Sequence, residues 1–364
     1  MLNARLTCLT CGEEASLRQE GRCRSCGGSL QAQGDIWPAR IDRDARDPLT
    51  RYGAFLPLDA TNTSLSLGEG ATPQIPARLG RAIRGGRLDL KLETLNPNSS
   101  AFDRGAIACV SRARALSFTQ VLVTQSEIAT SVAAYAARAG LSCTVLLPAT
   151  SPPDAGNAAT FHGARVIRVE TTPQRLVEVR DECHRATRAY SIERSDPFWI
   201  EGCKTLAYEI MEASAPEPAY HIVVPEHWQT EAAALAKGLR EWQAAGLGER
   251  TPDVLIARLP RSDNGRAVSN RGFPCCGIDR REAVAAQSLL AEEDGLIVDE
   301  DQAAVVAAAI KVARAVGLPQ PQRVVAVVDG TSGQVRVEPS EGCTLDELPV
   351  KLAARLPLLR SVGC

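Results

Sequence analysis

No apolar run in this chain approaches the ~20 residues a membrane-spanning helix requires, so an integral membrane protein is not expected. The first residues, MLNARLTCLTCG, lack the charged-then-apolar layout of a secretory signal, which makes the cytoplasm the expected compartment. A surplus of positive charge is missing too: 41 Lys and Arg stand against 43 Asp and Glu, for a formal net charge of -2. No broad basic field is therefore available to hold nucleic acid or an anionic membrane. Internal repeats and low-complexity segments are also lacking. What remains is a chain of 364 residues with 45% hydrophobic content, enough for two ordinary domains with substantial cores.

Cysteine is plentiful, at twelve. Four of these form a group of their own in CLTCGEEASLRQEGRCRSCGGSL, which reads C-x2-C, eleven residues, C-x2-C. Each C-x2-C turn aims two thiolates at one point, and two such turns complete a tetrahedral shell with no open position. Cys8, Cys11, Cys23 and Cys26 are thus expected to hold one structural zinc ion. The other eight are scattered, and in a reducing compartment they read as small buried apolar residues rather than as a disulfide framework. Cys275 and Cys276 cannot bridge to each other without strain, and Cys364 ends the chain.

Beyond Ile36 the sequence is rich in Pro, Asp and Arg to about residue 87, predicting an extended segment lying over a larger body. From residue 88, short apolar runs follow in series: LDLKLE, QVLVT, CTVLLP, RVIRV, HIVVP, DVLIARL and RVVAVV. Helical patterns such as SVAAYAARAG, KTLAYEIMEA and TEAAALAKGLREW lie between several of them. Strands alternating with helices predict parallel sheets with helical crossovers, an α/β class. Ligands of such sheets bind where strand ends lead into helix N-termini. The loops to examine are 94–105, 125–131, 225–231 and 329–333.

The order and wording of these pieces resemble threonine synthase, a fold-type II pyridoxal phosphate enzyme of the tryptophan synthase β-subunit kind. The resemblance rests on the zinc ribbon with CGGSL, SLGEGATPQIPARLG at 66–80, KLETLNPNSSAFDRG at 91–105, AAYAARAGLSCTVLLPA at 133–149, HGARVIRVE at 162–170 and EGCKTLAYEI at 201–210. It implies two open, mostly parallel α/β domains behind a ribbon at 1–35: a large one from 36–100 and 216–364, and a smaller one at 101–215. It also points to a homodimer.

The resemblance fails where the family's chemistry resides. Against the family's NPTGSFKDRG this chain reads NPNSSAFDRG, so Phe102 stands where the Schiff-base lysine belongs. Phenylalanine has no amine to form an imine or move a proton. In place of the family's Ser-Gly-Asn-Ala are Ser126, Glu127, Ile128 and Ala129, which bring a carboxylate to the side of the cofactor phenolate. The Gly-rich phosphate loop is replaced by Glu226, His227, Trp228 and Gln229, whereas Asp329-Gly330-Thr331 keeps small residues.

Three functions remain open on this reading. The first is a non-PLP pseudoenzyme, with pyridoxal phosphate not expected, binding a metabolite or protein partner through the altered cleft. Its ligand-binding candidates are Thr72, Arg104, Ser126 and Thr331. The second is a PLP-dependent lyase or synthase on a small (phospho)amino acid that uses another of the five lysines (Lys91, Lys204, Lys237, Lys311 and Lys351), with Lys91 and Lys204 nearest the loops. The third is new metal or acid/base chemistry built from Glu127, Glu226, His227 and Asp329. Where the cofactor is lost, Phe102 is expected to fill the space left by lysine and cofactor, as a core residue of a retained fold.

Overall fold

The structure is a computed structural model that describes residues 5–16, 22–33, 41–58, 65–78, 87–259, 272–314 and 323–330. Its first element is a small antiparallel sheet of β1 (Arg5–Cys8), β2 (Glu14–Ala15) and β3 (Leu30–Gln33), with β1 central. Strand alternation turns Leu6, Leu30 and Ala32 inward, where they join the main hydrophobic core. The ribbon is thereby packed on the body.

Helix α1 (Pro48–Arg51) starts at Asp47, whose carboxylate accepts the Thr50 N–H, with proline in the first turn, where its missing N–H costs nothing. There follow β4 (Gln74–Pro76), β5 (Arg87–Leu92) and α2 (Phe102–Ala115). The next stretch alternates: β6 (Gln120–Val123), α3 (Ser126–Ala139), β7 (Ser142–Pro148), α4 (Asn157–Phe161), β8 (Arg165–Val169), α5 (Pro173–Thr187) and β9 (Tyr190–Ile192). These strands form one parallel sheet in the order β8-β7-β6-β9. Helix α3 lays Ile128, Ala129, Val132, Ala133 and Ala136 against the core at helical spacing. It stops at Gly140, whose φ of 71° suits glycine.

Two consecutive helices, α6 (Pro197–Cys203) and α7 (Thr205–Ala213), lead to β10 (Ala219–Pro225), α8 (Gln229–Ala244), β11 (Asp253–Arg258), β12 (Cys275–Gly277), α9 (Arg280–Leu289), α10 (Glu300–Arg314) and β13 (Arg323–Val328). The second large sheet has the order β12-β11-β10-β13-β5-β4, and only the β4 edge is antiparallel. Its inner strands are buried on both faces; every residue of β13 is buried. The chain is thus a mixed α/β protein with two parallel sheets, as its seven apolar runs predict.

Three details depart from expectation. The segment from 36 to 87 is not simply extended, for it supplies α1 and the edge strand β4, paired with β5 through Gln74 and Lys91. Strands β9 and β12 are three residues each, too short to leave a pattern. Cys275 and Cys276 lie in β12, where neighbours point to opposite faces and cannot bridge. No helix among the described residues is long and apolar enough to cross a membrane.

Candidate functional site

The loop before α2 is shaped by its own side chains. Asp103 accepts the Asn98 N–H through one carboxylate oxygen and the Asn98 amide through the other, both at 2.8 Å. From the end of β13, Asp329 accepts the Ala101 N–H at 2.8 Å and so caps α2, whose own N-cap residue, an alanine, cannot. Gly330 presses on the same loop: a Cβ there would lie 1.6 Å from the Ser99 carbonyl oxygen. Burial pushes the Asp329 carboxyl up to about 7.

Phe102 opens α2 with only 5% of its surface exposed. Its ring lies 6.0 Å from Trp199 of α6 and 6.3 Å from Trp228, which precedes α8. The Arg194 guanidinium sits 5.0 Å from its centroid. Arg194 Nε and Trp199 Nε1 both donate to one oxygen of Glu231, at 2.9 and 3.0 Å, and Arg194 also donates to the other Glu231 oxygen and, at 2.5 Å, to the His227 carbonyl. Glu231 belongs to the buried first turn of α8, where a carboxylate complements the helix dipole. An aromatic layer is therefore covered by an ion pair.

The sequence candidates divide in space. Glu127 reaches this cluster, 3.6 Å from Arg194, from the exposed start of α3 that it shares with Ser126. His227 adjoins it by its backbone, and burial together with Arg194 lowers the pKa of its imidazole. Glu226 points elsewhere, 3.1 Å from Arg258 of β11. The expected ligand residues Arg104 and Thr72 are buried and both hydrogen-bond to carboxylates inside the fold. The Arg104 guanidinium, 1% exposed, donates to Glu93 at 2.7 and 2.8 Å and to Glu209 at 2.7 and 2.8 Å; the Thr72 hydroxyl donates to Glu93 at 2.6 Å. Thr331, Lys351, Cys343 and Cys364 lie outside the described residues.

Of the other lysines, Lys91 donates to Glu209 at 2.7 Å and to the Thr72 carbonyl at 2.6 Å. Lys204 is held by Glu201 at 2.5 Å, Glu241 at 2.8 Å and the Phe55 carbonyl at 2.8 Å. Burial works to lower the Lys204 pKa, but the two glutamates hold it above its ordinary value. Lys237 meets Glu201 and donates to the Ala32 carbonyl of β3 at 2.6 Å, and exposed Lys311 pairs with Glu282 at 3.2 Å.

Sequence reasoning missed Trp199, Arg194 and Glu231, which complete the cluster. The one signal was Phe198-Trp199, two adjacent large rings in a chain that is 4% aromatic. In the ribbon, the thiols of Cys8, Cys11, Cys23 and Cys26 converge within 4.8 Å of one another. Among the described residues no other group of three or more Cys, His, Asp or Glu side chains does so, and the carboxylates near Phe102 do not form a metal cluster.

A family model for pyridoxal-phosphate dependent enzymes matches residues 65–259. The threonine synthase of Methanocaldococcus jannaschii is 25% identical over 401 aligned positions that cover 98% of each chain. That of Mycobacterium leprae is 34% identical over 210, covering 57% of this chain and 58% of the other. Among solved structures, a pyridoxal 5'-phosphate-dependent aspartate racemase superposes with a TM-score of 0.61 at 18% identity, over 77% of this chain and 97% of its own. The serine racemase from Dictyostelium discoideum gives 0.60 at 17%, over 72% and 93%. These likenesses agree with the two parallel sheets and the loop–helix junction described above. Since the family match takes in that junction and more than half of the chain, the chain belongs to the pyridoxal-phosphate dependent enzyme family.

Proposed function

We propose that this chain is a threonine-synthase-like member of its family that no longer holds pyridoxal phosphate and acts as a pseudoenzyme, binding a small metabolite or a protein partner. The observation that carries this reading is Phe102, buried among Trp199, Trp228 and Arg194 where the resemblance places the Schiff-base lysine. The surrounding residues do not fit the cofactor. Glu231 already supplies the anion at the first turn of α8, and a phosphate brought within about 4 Å would meet repulsion on the order of 4 kcal/mol per charge pair at an effective dielectric near 20. Nor do Lys91 and Lys204 fit as substitutes, since each ammonium group is engaged by carboxylates and a backbone carbonyl. The ligand is expected at the polar rim that remains, where Ser126 and Glu127 are exposed.

In this reading the ribbon holds a structural zinc ion. A tetrahedron with Zn–S near 2.3 Å requires sulfurs about 3.8 Å apart. Cys8–Cys26, Cys11–Cys26 and Cys11–Cys23 stand at 3.5, 3.4 and 3.7 Å, close to that spacing. The Cys11 backbone N–H holds the Cys8 thiol down at about 6, while the neighbouring thiols push Cys11 and Cys26 up.

The test is an absorbance titration of the purified protein with pyridoxal phosphate, followed by borohydride reduction and mass spectrometry. No imine band and no pyridoxyl adduct are expected. A trapped adduct on Lys91 or Lys204 would overturn the proposal in favour of catalysis through another lysine.

A further inference from the structure

Between the ribbon and the body lies a cavity of about 260 Å³, lined in part by Glu193 and Ser195, the neighbours of Arg194 in the chain. One wall is ribbon, with Arg22 and Ser29; the other is α5 and the β9 end, with Arg180, Asp181, Ser191 and Glu193. The seam is fixed by packing on both sides. Leu30 and Ala32 sit in the shared core, and Lys237 of α8 donates to the Ala32 carbonyl. A volume near the lower end of the ~300–1,000 Å³ typical of small-molecule pockets admits a compact metabolite and little more.

The lining is asymmetric in charge. The ribbon wall brings the Arg22 guanidinium, whose Nη1 donates to the Gly27 carbonyl at 3.3 Å. The body wall has one cation, Arg180, shared between Asp181 at 2.6 Å and Glu193, with Asp196 as a further carboxylate at the cavity. Asp196 is occupied by the Tyr190 hydroxyl and the Phe198 N–H, both at 2.7 Å, and His184 contacts the Ala189 carbonyl through Nδ1 at 2.7 Å. Asp181 and Glu193 against the single guanidinium of Arg180 leave this wall with an excess of carboxylate, across from the Arg22 guanidinium.

Between them lies a hydroxyl that the fold leaves unused. Ser191 is the middle residue of β9, so it faces away from the core that Tyr190 and Ile192 enter. Its Oγ is buried and has no hydrogen-bond partner among the described residues, a cost that native folds seldom carry without a ligand or ordered water to meet it. From this cavity, its opposed charges and that hydroxyl we infer that the ribbon–body seam is a binding site for a small zwitterion of amino-acid size. Its ammonium group is received by Asp181 and Glu193, its carboxylate by Arg22, and a polar atom between them by Ser191. The ribbon then completes a ligand site as well as holding its own metal. This inference does not depend on whether the Phe102 cluster excludes pyridoxal phosphate.

Isothermal titration calorimetry of the full-length, zinc-loaded protein with each of the twenty standard amino acids tests it, without pyridoxal phosphate in the buffer. At least one amino acid is expected to bind, and its N-acetyl derivative and methyl ester, each lacking one charge, to bind at least tenfold more weakly. Ser191→Val and Arg22→Gln should each weaken binding at least tenfold with an unchanged circular dichroism spectrum. Arg22 is exposed, so its replacement keeps the test valid should a variant at the buried hydroxyl misfold. No binding up to 10 mM, equal binding of the blocked derivatives, or undiminished binding in folded Arg22→Gln overturns the proposal.

Discussion

Phe102 and Asp329 show how single side chains set the character of the junction before α2. Lysine introduced at 102 would lie among Trp199, Trp228 and the Arg194 guanidinium, a buried amine beside a like charge. Phe102→Lys is expected to lower stability by roughly 2–4 kcal/mol, read by denaturant melts, and to give no imine band with pyridoxal phosphate. Asp329 carries a different consequence. Its folded pKa, about 7, lies above the ordinary value of 3.8, so the native state binds more protons than the unfolded state between those values. The stability it contributes is complete below about pH 4 and is lost as pH rises toward 7, an effect of at most about 4 kcal/mol at 1.36 kcal/mol per unit. Asp329→Asn keeps an oxygen for the Ala101 N–H and cannot ionise. Its melting temperature should fall less than that of the parent between pH 4 and pH 7, and parallel curves would refute the assignment.

Helices α2 and α6 approach each other closely, and glycine permits it. A Cβ at Gly105 would lie 2.4 Å from the Trp199 ring, and one at Gly202 would lie 2.0 Å from the Arg104 carbonyl oxygen. The second contact is with backbone, which cannot turn aside, and Arg104 is fixed on its other side by Glu93 and Glu209. Although burial alone would raise the Glu209 pKa, Arg104 and Lys91 hold it well below the usual carboxylate range. Separating α2 from α6 would strain this buried network, and breaking one partner of such a network costs about 3–5 kcal/mol. Gly202→Ala is accordingly expected to destabilise by about 3 kcal/mol or more in urea melts. Gly277→Ala in β12, with nothing within 4 Å of the added Cβ, should stay within about 0.5 kcal/mol of the parent.

For the molecule as a whole, the ribbon is joined to the body by core packing and by the Lys237 contact with Ala32. If the ribbon holds the proposed zinc ion, its loss should be felt beyond the ribbon, because the short strands enclose too little apolar surface to keep their shape without it. Elemental analysis is expected to find one zinc per chain. Cys23→Ser, or chelation of the parent protein, should lower the melting temperature by several degrees. An unchanged melt together with absence of zinc would refute the zinc assignment.

By itself the sequence determined the local structure. Continuous apolar runs such as RVVAVV specify strands buried on both faces, the small-residue periodicity of α3 specifies one helical stripe, and the spacing of Cys8, Cys11, Cys23 and Cys26 brings four thiols together. These signals are local, since each follows from a repeat or a short loop within one segment. The absence of an amine at 102 was equally legible, being a matter of residue identity. Only the tertiary structure decided which distant groups meet. Arg104 and Thr72 share a buried network because Glu93 and Glu209 arrive from other elements. Trp199, Arg194 and Glu231 closed over Phe102 from positions 92 to 129 residues away, and no pattern along the chain records such contacts, whose free energy depends on packing and desolvation in three dimensions.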